Sequence, residues 1–184
     1  VAYGITTGGL RQLIDFTLAD SESAEACSRF LWNLYHRGLR GSKLKLIARD
    51  RGGGLTAAAE EVYPFVAKQA CWFHKIKNVL GSMRKADHGE CMIGLKKIYD
   101  AVNGTSARAA AKEWVARWQT AYPKAVACLT KDLERLLAVY ALPAEHRQMM
   151  RTTNAIERFF REVRRRTDSV GTFLDDASIR RLVY

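Results

Sequence analysis

The sequence predicts an α/β fold that carries an inserted all-helical module. Three observations support that class. Short β-rich runs alternate with helical stretches over residues 1–85, the apolar period is helical from Cys91 to Tyr140, and an arginine-rich amphipathic run begins at Thr153. On this reading residues 1–85 and 151–184 build the α/β core and residues 86–150 the helical insertion. A chain of 184 residues can bury a sizeable apolar core as one domain, or as a core domain with an insertion.

The elements follow in order. Val1–Ile5 and Leu10–Leu18 are β-rich runs flanking the polar turn Thr6-Thr7-Gly8-Gly9, the pattern of a hairpin. Asp20-Ser21 offers an N-cap, and Cys27, Phe30, Leu31 and Leu34 then recur at helical spacing until Gly38 stops the helix. Lys43–Ala48 reads as a strand, closed by Arg49-Asp50 and the glycines 52–54, and a short helix from Leu55 to Val62 ends near Pro64. Phe65–Phe73 is expected as a further strand, with a basic amphipathic helix from His74 to Met83. Between Cys91 and Tyr140, breaks near Asn103-Gly104 and Pro123 divide the helical stretch into three, whose core faces carry Leu95, Ile98 and Tyr99, then Trp114 and Trp118, then Leu129, Leu133 and Leu136. The last helix begins around Thr153-Asn154, with Ile156, Phe159, Phe160 and Val163 on its apolar side.

The charge balance, 30 Lys+Arg against 19 Asp+Glu for a net +11, points to a polyanionic partner. No apolar run approaches the roughly 18 residues of a spanning helix, and the N-terminus lacks a secretion signal, so membrane insertion is not expected. Cys27, Cys71, Cys91 and Cys128 lie far apart with no CxxC, which suits reduced thiols in a cytosolic protein. Val1 in place of an initiating methionine is expected of a fragment.

Several residues could carry chemistry. Asp50 ends a strand at a glycine-rich turn, where open α/β sheets gather ligands, and it reads equally as a metal ligand or as a turn-forming residue. Glu157 lies one turn into the last helix. Asn154-x-x-Glu157 matches a capping box, which would also hold that carboxylate rigid. Arg151, Arg158, Arg161, Arg164, Arg165 and Arg166 form a basic cluster whose guanidinium forks suit DNA phosphates, a solvated helix face being the other reading. Cys71-Trp72-Phe73-His74 is a CxxH with too few ligands for structural zinc. Cys71 reads as a buried thiol, and His74 either caps its helix or projects into the cleft.

Three stretches, LKLIARDRGGGLTAAAEEVYP, AKQACWFHKIKNVL and RTTNAIERFFREVRRRT, together resemble the Mutator-type DDE transposases of insertion sequences. The resemblance matches Asp50 with Gly54-Leu55 to the second catalytic aspartate and its trailing Gly-Leu. It matches Cys71 and His74 to a Cys-x-x-His motif, and Thr153-Asn154-Ala155-Ile156-Glu157-Arg158 to the segment of the catalytic glutamate. The chain departs from the family pattern at Gly52, where a histidine is usual, and at Arg51, where a small residue is usual.

The resemblance implies an RNase H-like mixed sheet with a helical insertion before the glutamate helix, its first strand and first catalytic aspartate lying upstream of Val1. It implies strand cleavage and transfer with Asp50 and Glu157 as catalytic metal ligands for Mg²⁺, or Mn²⁺ in its place. The six arginines would contact DNA, and Cys71, His74 and Asn154 would line the cleft. Double-stranded DNA at element ends and target is the implied partner, bound by a homo-oligomer at the nucleoid of a bacterial cytoplasm. A nonenzymatic DNA-binding remnant and an RNase H-like nuclease are the alternative functions.

Overall fold

A computed structural model describes residues 1–19, 21, 23–50, 52–168, 175, 177, 178 and 181. The first strand, β1 (Ala2–Ile5), pairs antiparallel with β2 (Arg11–Asp15). Their turn closes through Thr6, whose carbonyl accepts from the Gly9 amide at 2.9 Å and whose hydroxyl accepts from the Leu10 amide at 3.0 Å. Gly9 takes φ +81°, a conformation that favours glycine. Helix α1 (Ala24–His36) starts later than the expected Asp20-Ser21 cap: Ser23 is the N-cap, its Oγ accepting from the Ala26 amide at 3.1 Å. Asp20 and Glu22 lie outside the described residues, as does Arg51. Gly38, at φ +110°, ends this helix as expected.

Strand β3 (Leu46–Arg49) follows a 3₁₀ turn at Gly41–Lys43 that takes up the start of the expected strand. Helix α2 (Gly53–Val62) includes part of the glycine run in its first turn, and β4 (Ala67–Ala70) then pairs parallel with β3. The expected strand Phe65–Phe73 is shorter because Trp72 already opens α3 (Trp72–Leu80), where its buried indole Nε1 donates to the Leu136 carbonyl at 2.9 Å. The described residues thus form two separate two-stranded sheets within a mixed, mostly helical α/β fold.

The helical region holds α4 (His88–Tyr99), α5 (Gly104–Trp118), α6 (Pro123–Thr130), α7 (Leu133–Leu137) and α8 (Ala144–Met150), followed by α9 (Asn154–Thr167). Three helices were expected where α4 to α7 stand. The extra break, between α6 and α7, carries polar contacts: buried Lys75 donates to the Cys128 carbonyl at 2.6 Å and pairs with Asp132, and the Asp132 amide donates to Leu129 O at 3.3 Å.

One core joins these helices to the sheet region: Trp72 and Val79 pack with Leu95, Ile98, Trp114, Trp118, Leu129 and Leu136. Buried Gln69 of β4 reinforces the junction, donating to Leu136 O at 2.9 Å and accepting from the Val139 amide at 2.7 Å. A smaller core of Val62, Tyr63 and Val66 packs with Leu31, Tyr35, Leu44 and Ile47.

Candidate active site

Parallel pairing creates the site. Arg49 of β3 stands opposite Ala70 of β4, so the chain leaves both strands at the same end, through Asp50 and through Cys71. Such carboxyl ends are where open α/β sheets place ligands. Arg49 is buried, and burial lowers its pKa. Its guanidinium donates to the Asp50 carbonyl at 3.3 Å and to Thr56 Oγ1 at 2.5 Å, while the Thr56 hydroxyl donates to Gly52 O at 2.9 Å. These bonds brace the turn that presents Asp50. Sequence reasoning missed Arg49, since nothing in an arginine after three apolar residues marks it as buried.

The second half of the site comes from α9. Cys71 Sγ accepts from the Thr153 amide at 3.4 Å and from the Thr153 hydroxyl at 3.3 Å, and the Trp72 amide donates to Arg151 O at 3.0 Å. The starts of α3 and α9 therefore lie against each other. With the Thr153 hydroxyl engaged on sulfur, Thr153 itself is the N-cap and has no side-chain cap bond, so the capping box expected from Asn154 and Glu157 does not form. Asn154 is instead the first helical residue and is half-buried.

His74, in the first turn of α3, joins the two halves. Its Nδ1 lies 3.3 Å from Asp50 Oδ1 and its Nε2 lies 3.7 Å from Glu157 Oε1. Two of these atoms, His74 Nδ1 and Glu157 Oε1, are buried and make no hydrogen bond. Among the described residues, no group of three or more His, Cys, Asp or Glu side chains is arranged to hold a metal ion. The site consists of two carboxylates facing one imidazole. A buried carboxylate oxygen without a donor is costly by itself and is suited to a hard cation.

The arginines divide into two groups. Arg151 is half-buried, paired with Asp100, donating to Tyr99 O at 3.1 Å and lying 4.8 Å from the centre of the Tyr99 ring. Arg158, Arg161, Arg164, Arg165 and Arg166 are exposed on α9. Arg165 and Arg166 share Glu162, at 2.7 and 2.9 Å, and their hydrogen bonds hold its carboxyl down to about 2. A cleft of about 530 Å³ beside α1, lined by Asp15, Arg29 and Arg37 among others, contains none of the candidate site residues.

The family model described as "Transposase, Mutator family" matches residues 1–184. The chain belongs to the Mutator family of transposases. Among curated relatives, the transposase for insertion sequence element ISRM5 of Rhizobium meliloti (strain 1021) is 34% identical over 183 residues, covering 100% of this chain and 46% of the relative. The transposase for IST2 of Acidithiobacillus ferrooxidans is 40% identical over 167 residues, covering 91% and 56%. That for IS6120 of Mycolicibacterium smegmatis is 39% identical over the same length, covering 91% and 51%. The chain spans about half the length of the curated relatives it matches. No helix among its described residues is long and apolar enough to cross a membrane.

Proposed function

We propose that this chain is the catalytic part of an insertion sequence transposase that cuts DNA at the element ends and joins them to target DNA, with Asp50 and Glu157 as catalytic metal ligands. One observation supports this reading above the others: Asp50 and Glu157, remote in sequence, flank the same imidazole ring. The core is read as RNase H-like, with β1–β2 and β3–β4 as portions of one larger sheet. The resemblance implies a third carboxylate beside these two.

In this reading Asp50 and Glu157 supply hard oxygen ligands suited to Mg²⁺, or to Mn²⁺, which when bound activates the attacking oxygen and stabilises the leaving one. Each carboxylate sits on a rigid support. The turn carrying Asp50 is braced by Arg49, and the helix carrying Glu157 is held at its start by Cys71. His74 lies between the two carboxylates. The exposed arginines of α9 neutralise phosphates next to that site, placing double-stranded DNA without reading its sequence. The whole protein is read as acting as a homo-oligomer on DNA in a bacterial cytoplasm, associated with the nucleoid.

The test is a Mg²⁺-dependent cleavage and joining assay on element-end DNA with the full-length protein. Asp50→Asn and Glu157→Gln are each expected to lower the cleavage rate by on the order of 10³-fold while DNA still binds. Cleavage without joining would favour a nuclease. Undiminished cleavage by either variant would remove that residue from the chemistry.

A further inference from the structure

We infer that Cys71 is a positioning residue: its sulfur, by accepting two hydrogen bonds from Thr153, sets where the Glu157 carboxylate stands relative to His74 and Asp50. The inference rests on the transposase reading above for its kinetic consequence and on the hydrogen bonds at Thr153 for its physical cause.

Helix α9 is long but weakly buried. It contains no buried residue, its apolar Ile156, Phe159 and Val163 are only half-buried, and Phe160 is exposed. With its apolar face only partly covered, the position of the helix depends strongly on how its first turn is attached. That attachment is well defined. Thr153 and Cys71 are both buried, at 7% and 5% exposure. The Thr153 amide and hydroxyl converge on Cys71 Sγ, and the next residue of α3 donates its amide to Arg151 O at 3.0 Å. Arg151 in turn is held by Asp100 and Tyr99 of the helical region.

Glu157 stands one helical turn beyond this attachment, its amide donating to Thr153 O at 3.2 Å. A displacement of Thr153 is therefore transmitted directly to the carboxylate. Sulfur is large enough to receive both donors at 3.3 and 3.4 Å. A serine oxygen accepts as well but is smaller, and alanine accepts nothing. The role is separate from metal or DNA contact, because Cys71 is buried and its sulfur accepts from Thr153.

The experiment compares Cys71→Ala, Cys71→Ser, Thr153→Val and the double variant Cys71→Ala/Thr153→Val in the full-length protein, with Glu157→Gln as reference. Loss of a supporting group typically lowers activity by about 10- to 100-fold. Cys71→Ala is expected to lose that much in cleavage kcat with the DNA Kd unchanged, and Cys71→Ser to recover most of it. The double variant is expected to be no worse than the poorer single one. Without DNA or metal, amide exchange at Thr153 and in the first turn of α9 is expected to speed up at least about tenfold in Cys71→Ala while α3 to α8 stay protected. Unchanged kcat in Cys71→Ala, unchanged exchange at Thr153, or uniform loss of protection across α3 to α8 would each overturn the inference. Should Cys71→Ala fail to fold, Thr153→Val, which deletes one donor only, decides through its kcat and exchange. If Glu157→Gln cleaves at the wild-type rate, the transposase chemistry has failed, and the exchange measurements still decide whether Cys71 positions α9.

Discussion

His74 Nε2 lies 3.7 Å from Glu157 Oε1, across the gap between α3 and α9. The same ring reaches Asp50 Oδ1 at 3.3 Å through its other nitrogen, so the three residues form one constellation although they arise from a strand end, a helix start and a distant helix. Its parts are held by different means. Backbone pairing of β3 with β4 sets Asp50 beside the start of α3, whereas α9 is attached through Thr153 and Arg151.

The exposed arginines of α9 give the first expectation. Substituting Arg158, Arg161 or Arg164 by alanine should lower the magnitude of the log Kd against log salt slope by about 0.9 for each phosphate no longer neutralised. Sequence preference should stay the same, as read by fluorescence anisotropy on matched and scrambled duplexes. Arg151→Ala should behave differently and lower thermal stability, because its guanidinium serves Asp100 and Tyr99. Slopes unchanged in all three α9 variants would return that face to ordinary solvation.

Helix packing gives a second. A Cβ placed on Gly94 of α4 would come within 2.6 Å of Trp114 Cδ1 on α5, and Trp114 is buried at 3% exposure. Gly94→Ala gains about 1 kcal/mol of helix propensity but overpacks the core at a cost of about 1–3 kcal/mol. The net expectation is a destabilised protein with a lower Tm by calorimetry. A raised Tm would show that α4 and α5 stand further apart.

The residues of the candidate site were singled out in sequence by short local motifs and by the resemblance that joins them. Asp50 before glycines, His74 after Cys71, and Glu157 beside an amphipathic stripe all carry their signals within a few residues. The element order through α3 followed from periodicity for the same reason. What escaped depends on partners remote in the chain. Lys75 makes its contacts at the break between α6 and α7, Trp72 at the early start of α3 is bonded to Leu136, and the Thr153 hydroxyl is engaged by Cys71 while the capping box is absent. Helix α8 is short and has no buried residue, so it left no apolar period to read.

Alkaline pH tests the helical core. Burial pushes the Cys91 thiol up to about 11. Because its folded pKa is raised above the unfolded value of about 8.5, its contribution to stability is complete below that pH and is lost as pH rises toward the folded value. Unfolding midpoints in urea should accordingly fall between pH 9 and 11, about the interval between those two values, and iodoacetamide at pH 9 should spare Cys91 while labelling it after denaturation. Labelling of Cys91 in the native protein at the rate of half-buried Cys27 would contradict this placement.

The most direct test of the Asp50–His74–Glu157 site is Fe²⁺-mediated backbone cleavage of the full-length protein, with Fe²⁺ and ascorbate replacing Mg²⁺ and the fragments mapped by mass spectrometry. Cuts are expected close to Asp50 and Glu157, competed away by excess Mg²⁺ and lost in both Asp50→Asn and Glu157→Gln. Cuts confined to other segments, or a pattern unaltered by both substitutions, would contradict the assignment of these two carboxylates to a common metal site.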